Sequence, residues 1–149
     1  MALNRVMVVD DFRDWRQEVC SILEQHQELA VVGEASDGAE AVKKAAELKP
    51  DVIVLDIGLP KLNGIEAAAR IAKLSPGSRV LFLSQDNDVG TVQAAFETGA
   101  WGYVHKLSAG DELLNAVAAL LQGRRFVSRV ISTEESRRVK PKLSPGIND

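Results

Sequence analysis

Four apolar residues with no polar break, Val52, Ile53, Val54 and Leu55, run directly into a carboxylate, Asp56, and then into the loop formers Gly58 and Pro60. A strand that half-faces water alternates apolar and polar positions. This one does not, so both of its faces must be covered, as in a parallel sheet between two layers of helices. In such sheets ligands gather at the carboxyl ends of the strands. Asp56 stands at that end, and the turn made by Gly58 and Pro60 leaves it accessible.

The rest of the chain supplies the partners that this strand needs. Residues 5–9 form a second apolar run that stops at Asp10 and Asp11, followed by an amphipathic helix carrying Phe12, Trp15, Val19, Ile22 and Leu23. Residues 29–34 read as a strand, and Asp37 with Glu40 as a capping box for a helix through Leu48, ended by Lys49-Pro50. After the central strand, Asn63 caps a helix that ends before Pro76-Gly77. Residues 80–83 are a strand stopping at Ser84, and Val89, Val92 and Phe96 mark a helix ended by Gly99. Residues 101–105 form a fifth strand stopping at Lys106. Ser108 with Asp111 caps a last helix, with Leu113, Val117, Leu120 and Leu121 inward and Gly123 at its end. Five strands alternating with five helices imply an α/β sandwich around one five-stranded parallel sheet. Residues 126–131 offer a short additional strand; from Thr133 the sequence is polar and lacks periodicity, and reads as a mobile tail or linker.

Charge is unevenly divided. The chain of 149 residues has a net charge of −3, but residues 125–149 hold six Lys/Arg against three Asp/Glu, leaving about −6 on residues 1–124. An acidic body argues against the main domain as a nucleic-acid binder, since phosphate contacts need a basic face, so no specific DNA binding is expected of this chain alone. One cysteine, Cys20, leaves no internal disulfide, and neither a signal-peptide pattern nor a long apolar segment is present, so a cytoplasmic location without a membrane role is expected. Cys20, His26 and Trp15 read as core or helix-surface residues, and Trp101 as a packing residue or part of a partner surface, the former favoured.

Strand ends carrying Asp10-Asp11, Asp56, Ser84 and Lys106 share one rim of a parallel sheet. Carboxylates so close repel one another unless a cation joins them, and a divalent metal held by oxygens meets that need. Mg²⁺ favours octahedral oxygen ligands and keeps some waters, so carboxylates, a backbone carbonyl and a phosphoryl oxygen suit it. A metal, a spare carboxylate nucleophile, a hydroxyl and an amine are the parts that accept a phosphoryl group. His105, next to Lys106, points away from it by strand alternation and reads as no metal ligand.

Taken in order, Asp10-Asp11, Lys49-Pro50-Asp51, Asp56-Ile57-Gly58-Leu59-Pro60, Gly64, Ser84, Gly99-Ala100, Gly102-Tyr103 and Lys106 resemble the receiver domain of two-component response regulators. The resemblance spans residues 5–123. It implies the flavodoxin-like (βα)5 doubly wound fold, with a receiver domain over residues 1–124 and a polar tail or linker over 125–149. It implies Asp56 as phosphoacceptor for a sensor histidine kinase, and Mg²⁺ held by Asp11, Asp56 and the Gly58 carbonyl, with Asp10 in the same acidic cluster, directly or through water. Ser84 and Lys106 would hold the phosphoryl group. Ser84 and Tyr103 would form a switch in which the hydroxyl moves toward the phosphoryl and the ring turns into the space vacated, altering the surface of the fourth helix, fifth strand and fifth helix for a downstream partner or homodimer.

The sequence departs from the commonest receivers in having Leu107, not Pro, after the lysine. Lys106-Leu107-Ser108-Ala109 is similar to the NarL/FixJ-type receivers, which usually continue into a LuxR-type helix-turn-helix domain. Residues after Gly123 are too few and too polar to build one, although Leu143-Ser144-Pro145 is similar to its start. Both a single-domain regulator and a part of a DNA-binding regulator therefore stand, the latter with a missing output domain. Two other functions compete. A haloacid-dehalogenase-like phosphatase also uses an aspartyl nucleophile and Mg²⁺, but requires a second Asp two residues on, where this chain has Gly58. An unphosphorylated receiver-like interaction module would be expected to lose some of the acid, hydroxyl and amine positions, all of which are kept. The domain is thus expected to be no enzyme beyond self-phosphorylation and self-dephosphorylation.

Overall fold

A computed structural model describes residues 3–131. Strand and helix alternate through β1 (Asn4–Val9), α1 (Arg13–Glu24), β2 (Leu29–Ala35), α2 (Gly38–Leu48), β3 (Val52–Leu55), α3 (Gly64–Leu74), β4 (Arg79–Ser84), α4 (Val89–Glu97), β5 (Gly102–His105), α5 (Ala109–Leu121) and β6 (Phe126–Val127). Every strand pairing is parallel, in the order β2-β1-β3-β4-β5-β6. The chain first steps outward from β1 to β2, then returns to β1's other side for β3. That reversal opens a crevice at the carboxyl ends of β1 and β3.

The unalternating strands are explained by the two layers that cover them. Side chains at successive positions point to opposite faces. Val6, Val8, Val52, Val54, Leu81, Leu83 and Val104 meet Val19, Leu23, Leu113, Val117 and Leu120 of α1 and α5. Met7, Val9, Ile53, Leu55, Phe82 and Tyr103 meet Ala41, Ala45, Ala68, Ile71, Val92 and Ala95 of α2, α3 and α4. Small alanines on the second face let those helices lie close to the larger strand residues.

Local signals account for most helix starts. The Asp37 carboxylate accepts the Glu40 N–H at 2.7 Å, while Glu40 reaches back to the N–H of Ser36, one residue before the cap, at 2.9 Å. Asn63 accepts from Glu66 at 3.0 Å, and Asp88 starts α4 by accepting from Thr91 at 3.2 Å. Phe12, before α1, makes no side-chain cap bond, and neither does the expected cap Ser108. A 3-10 turn over Lys106–Ser108 leads into α5 and leaves Ser108 at φ −100°, ψ 4°, rather than in the extended conformation a cap needs.

Among the described residues the sheet has six strands, the five expected and the short additional one offered by residues 126–131. β6 pairs with the outer edge of β5, Gly102 beside Phe126 and Tyr103 beside Val127, covering an edge that would otherwise be open. Gly102 permits this approach: a Cβ there would stand 3.0 Å from the Phe126 carbonyl oxygen and 2.7 Å from Leu81. Residues 125–131, the start of the expected 125–149 tail or linker, continue inward to bury Ser128 and Ile131. Residues 132–149, with the remainder of the expected tail and Leu143-Ser144-Pro145, lie outside the described residues. Among the described residues, no helix is long and apolar enough to cross a membrane.

Candidate functional site

Register places the acids. Val9 and Leu55 are direct neighbours in the β1–β3 ladder, so the residues that follow them, Asp10 and Asp56, emerge side by side at the crevice. The Asp56 N–H still donates to the Val9 carbonyl at 3.1 Å. Behind Asp56, α3 begins in contact with its backbone: a Cβ on Gly64 would lie 2.0 Å from the Asp56 carbonyl oxygen, so only glycine fits. Asp10 and Asp56 are buried and Asp11 is exposed, and one carboxylate oxygen from each lies within 4.8 Å of the others. Lys106, delivered by the end of β5, places its Nζ 2.8 Å from Asp10 Oδ2 and 3.2 Å from Asp56 Oδ2. These residues line an open cleft of about 950 Å³ together with Gly58, Ser84, Asp86 and Leu107.

Each of the two buried acids has a second tie that fixes its direction. Asp10 Oδ1 accepts the Phe12 N–H at 2.9 Å and Asp56 Oδ1 accepts the Ile57 N–H at 2.8 Å. Arg16 donates to the Asp10 carbonyl at 2.8 Å while paired with Glu34 at 2.8 Å. Burial pushes the Asp56 carboxyl above the ordinary carboxylate range; Lys106 opposes the rise, and the Asp10 charge adds to it. Burial by itself would lower the Lys106 ammonium, but the bond to Asp10 and the charge of Asp56 outweigh it, and its pKa is raised. Three carboxylates face one ammonium, so negative charge remains in excess. An all-oxygen set of this kind suits a hard divalent cation such as Mg²⁺, and Asp10, Asp11 and Asp56 are the described residues that fit it.

Ser84 ends β4 almost fully buried, its hydroxyl accepting the Asp86 N–H at 3.1 Å. Tyr103, on the neighbouring strand, is wholly buried with its hydroxyl donating to the Asp86 carbonyl at 2.5 Å. Its ring stands between Phe82 and Phe96, with centroids 6.1 and 6.5 Å away. Burial, with smaller contributions from nearby acids, pushes the phenol up to about 12. The ring is therefore in its inward position.

Two residues gain roles that their sequence context did not signal. Trp15 lies one helical turn beyond Asp11 and so reaches the rim, its ring 5.7 Å from Lys106 Nζ, within cation–π range. Its indole Nε1 is buried without a partner. His105 turns its Nδ1 to accept the Leu107 N–H at 3.2 Å, which braces the turn that presents Lys106. Leu107 itself is almost fully exposed at the cleft mouth.

Comparison with known proteins identifies the family. The family model of the response regulator receiver domain matches residues 6–118. The chain belongs to that family. It is similar to the transcriptional regulatory protein DegU of Brevibacillus brevis, 36% identical over 123 residues that cover 83% of this chain and 52% of DegU. The chain therefore spans about half of that relative's length. A LuxR-family two-component response regulator from Aurantimonas sp. SI85-9A1 superposes with a TM-score of 0.87 at 37% identity, covering 91% of this chain and 97% of that one. The receiver domain of the response regulator NarL from Mycobacterium tuberculosis gives a TM-score of 0.79 at 34% identity, covering 83% of this chain and all of that one. The receiver reading, with its likeness to NarL- and LuxR-type regulators, thus stands over the phosphatase. The chain is a signalling domain of two-component systems.

Proposed function

We propose that Asp56 is the phosphoacceptor of this receiver and that a sensor histidine kinase is its donor. The observation that carries the proposal is Lys106 bridging Asp10 and Asp56 at the sheet's reversal point, with Asp11 alongside. An Asp56 oxygen attacks phosphorus as the P–N bond to the donor imidazole breaks, and the leaving nitrogen takes up a proton. Lys106 moves from carboxylate to phosphoryl oxygen, Ser84 donates its hydroxyl to another, and both neutralise charge on the equatorial oxygens. Asp10, Asp11, Asp56 and the Gly58 carbonyl would hold Mg²⁺, which supplies electrostatic stabilisation when bound. The chemistry stops at gain and loss of one phosphoryl group, and the setting is the cytoplasm. Retention of the whole set favours this over an unphosphorylated interaction module.

Acetyl phosphate or beryllofluoride should modify the protein in the presence of Mg²⁺ and not with a chelator present. Intact-mass measurement reads the added phosphoryl group. Labelling of Asp56→Asn to the wild-type extent would remove Asp56 from this role. The same described body, acidic and without a recognition helix, is expected not to bind DNA specifically; saturable sequence-selective binding at physiological salt would refute that. Downstream protein contact or homodimerisation through α4, β5 and α5 is the expected readout, with a further output domain as the alternative route.

A further inference from the structure

Residues 125–131 are held by contacts that converge on Tyr103 and its neighbours. Phe126 donates its N–H to the Trp101 carbonyl at 3.1 Å, and Ser128 donates to the Tyr103 carbonyl at 2.8 Å. Arg125 donates to the Ala100 carbonyl at 3.0 Å and lies over the Trp101 ring at 5.0 Å. From α5, Glu112 accepts the Ser128 hydroxyl at 2.6 Å and the Arg129 N–H at 3.1 Å, which fixes the start of a helical turn at residues 129–131. Ile131, 2% exposed, then enters the apolar cluster that contains Phe82, Val92, Ala95, Ala100 and Tyr103.

Tyr103 is thus tied to this segment twice, through its backbone by the β5–β6 ladder and through the cluster its ring shares with Ile131. An outward ring would leave a void in that cluster, and interiors tolerate voids poorly. We infer that residues 125–131 are an intramolecular strap whose docking on β5 and the inward position of Tyr103 favour one another, so that a change at Tyr103 is passed to this strap. The edge of β5 is already taken by this strap and is not open for strand pairing with a second copy. Coupling is reciprocal: whatever loosens the strap must loosen Tyr103 by the same factor, and the reverse.

Tyr103 is the one tyrosine in the sequence, so 3-fluorotyrosine labelling of the full chain gives a single ¹⁹F resonance from it. Ile131→Ala and Glu112→Ala, the second outside the core, should each shift or exchange-broaden that resonance. Leu23→Ala, a deletion in the opposite cluster, should leave it in place. In the other direction, Tyr103→Ala should speed amide exchange at residues 126–128 by about 5- to 100-fold relative to β1 and β3. An unmoved ¹⁹F signal in both strap variants while their 126–128 amides exchange rapidly would overturn the coupling. All of these readings are made on unphosphorylated protein. Failure of beryllofluoride to bind would count against Asp56 as phosphoacceptor and leave the coupling result unaffected.

Discussion

The two faces of the sheet are packed from different materials. Under α1 and α5 the contacts are predominantly aliphatic, valines and leucines of the strands against Val19, Leu23, Leu113, Val117 and Leu120. Under α2, α3 and α4 the helices contribute small alanines, and near α4 the strands contribute Phe82 and Tyr103, whose hydroxyl reaches a loop carbonyl beside the cleft. Close-packed aliphatic side chains offer no charge or dipole for a change at the cleft to act on, and only Trp15, at the margin of this cluster, sits beside Lys106. The aromatic face contains an amphipathic ring whose polar end is tied to the Ser84–Asp86 loop, so a change at the cleft has a path into it. The first face is a scaffold and the second is where a signal can be read.

Deleting a side chain on each face separates scaffold from signal. Leu113→Ala, in the aliphatic face, should cost about 3 kcal/mol in urea unfolding while leaving phosphorylation by acetyl phosphate unchanged at temperatures where the variant is folded. A large loss of labelling in that variant would mean the scaffold face also carries signal. Lys106→Met at the cleft should cost about 2 kcal/mol, below the usual figure for a broken buried pair because the cleft admits solvent. Added Mg²⁺ should recover much of that loss, since the metal replaces the missing positive charge; no recovery would argue against a cation among Asp10, Asp11 and Asp56.

Tyr103→Phe keeps the ring and removes the hydroxyl bond to Asp86, at an expected cost of about 1 kcal/mol at neutral pH. That deficit should shrink in alkali. The folded state holds the phenol proton up to about 12, whereas an unfolded tyrosine releases it near pH 10, so wild-type stability falls as pH rises through that window and the Phe variant is spared the loss. A gap that stays constant from pH 8 to about 11 would show that the phenol is not protected as described.

The smallest effect is expected at Asp56. Its carboxyl is raised by burial and by Asp10, so the folded state prefers it protonated, and its contribution to stability declines as pH rises above the ordinary carboxylate value. Asp56→Asn should therefore raise the urea midpoint modestly at pH 7 without metal, with the gain vanishing below about pH 4. A lower midpoint at neutral pH would mean that the pair with Lys106 dominates the burial cost.

The sequence by itself determined the order of elements, the parallel sheet and the residues at its rim. Unalternating runs such as 52–55 have one stable environment, and Asp37, Asn63, Lys49-Pro50 and Gly99 are local signals that act over a few residues. Asp10, Asp56 and Lys106 were legible for the same reason, since each directly follows a strand, and parallel pairing sends all strand ends to one edge. Tertiary structure alone decided what those residues touch. The Lys106 bridge joins positions 96 and 50 residues apart, Trp15 reaches the ammonium only because α1 lies across the rim, and Ser108 loses its cap because the chain enters α5 through a 3-10 turn. A short strand within residues 126–131 was legible, but its docking on β5 and the burial of Ile131 were not. Residues 125–131 have little periodicity of their own, and their structure comes from the open edge of β5 and from Glu112, partners that a local reading of the chain does not contain.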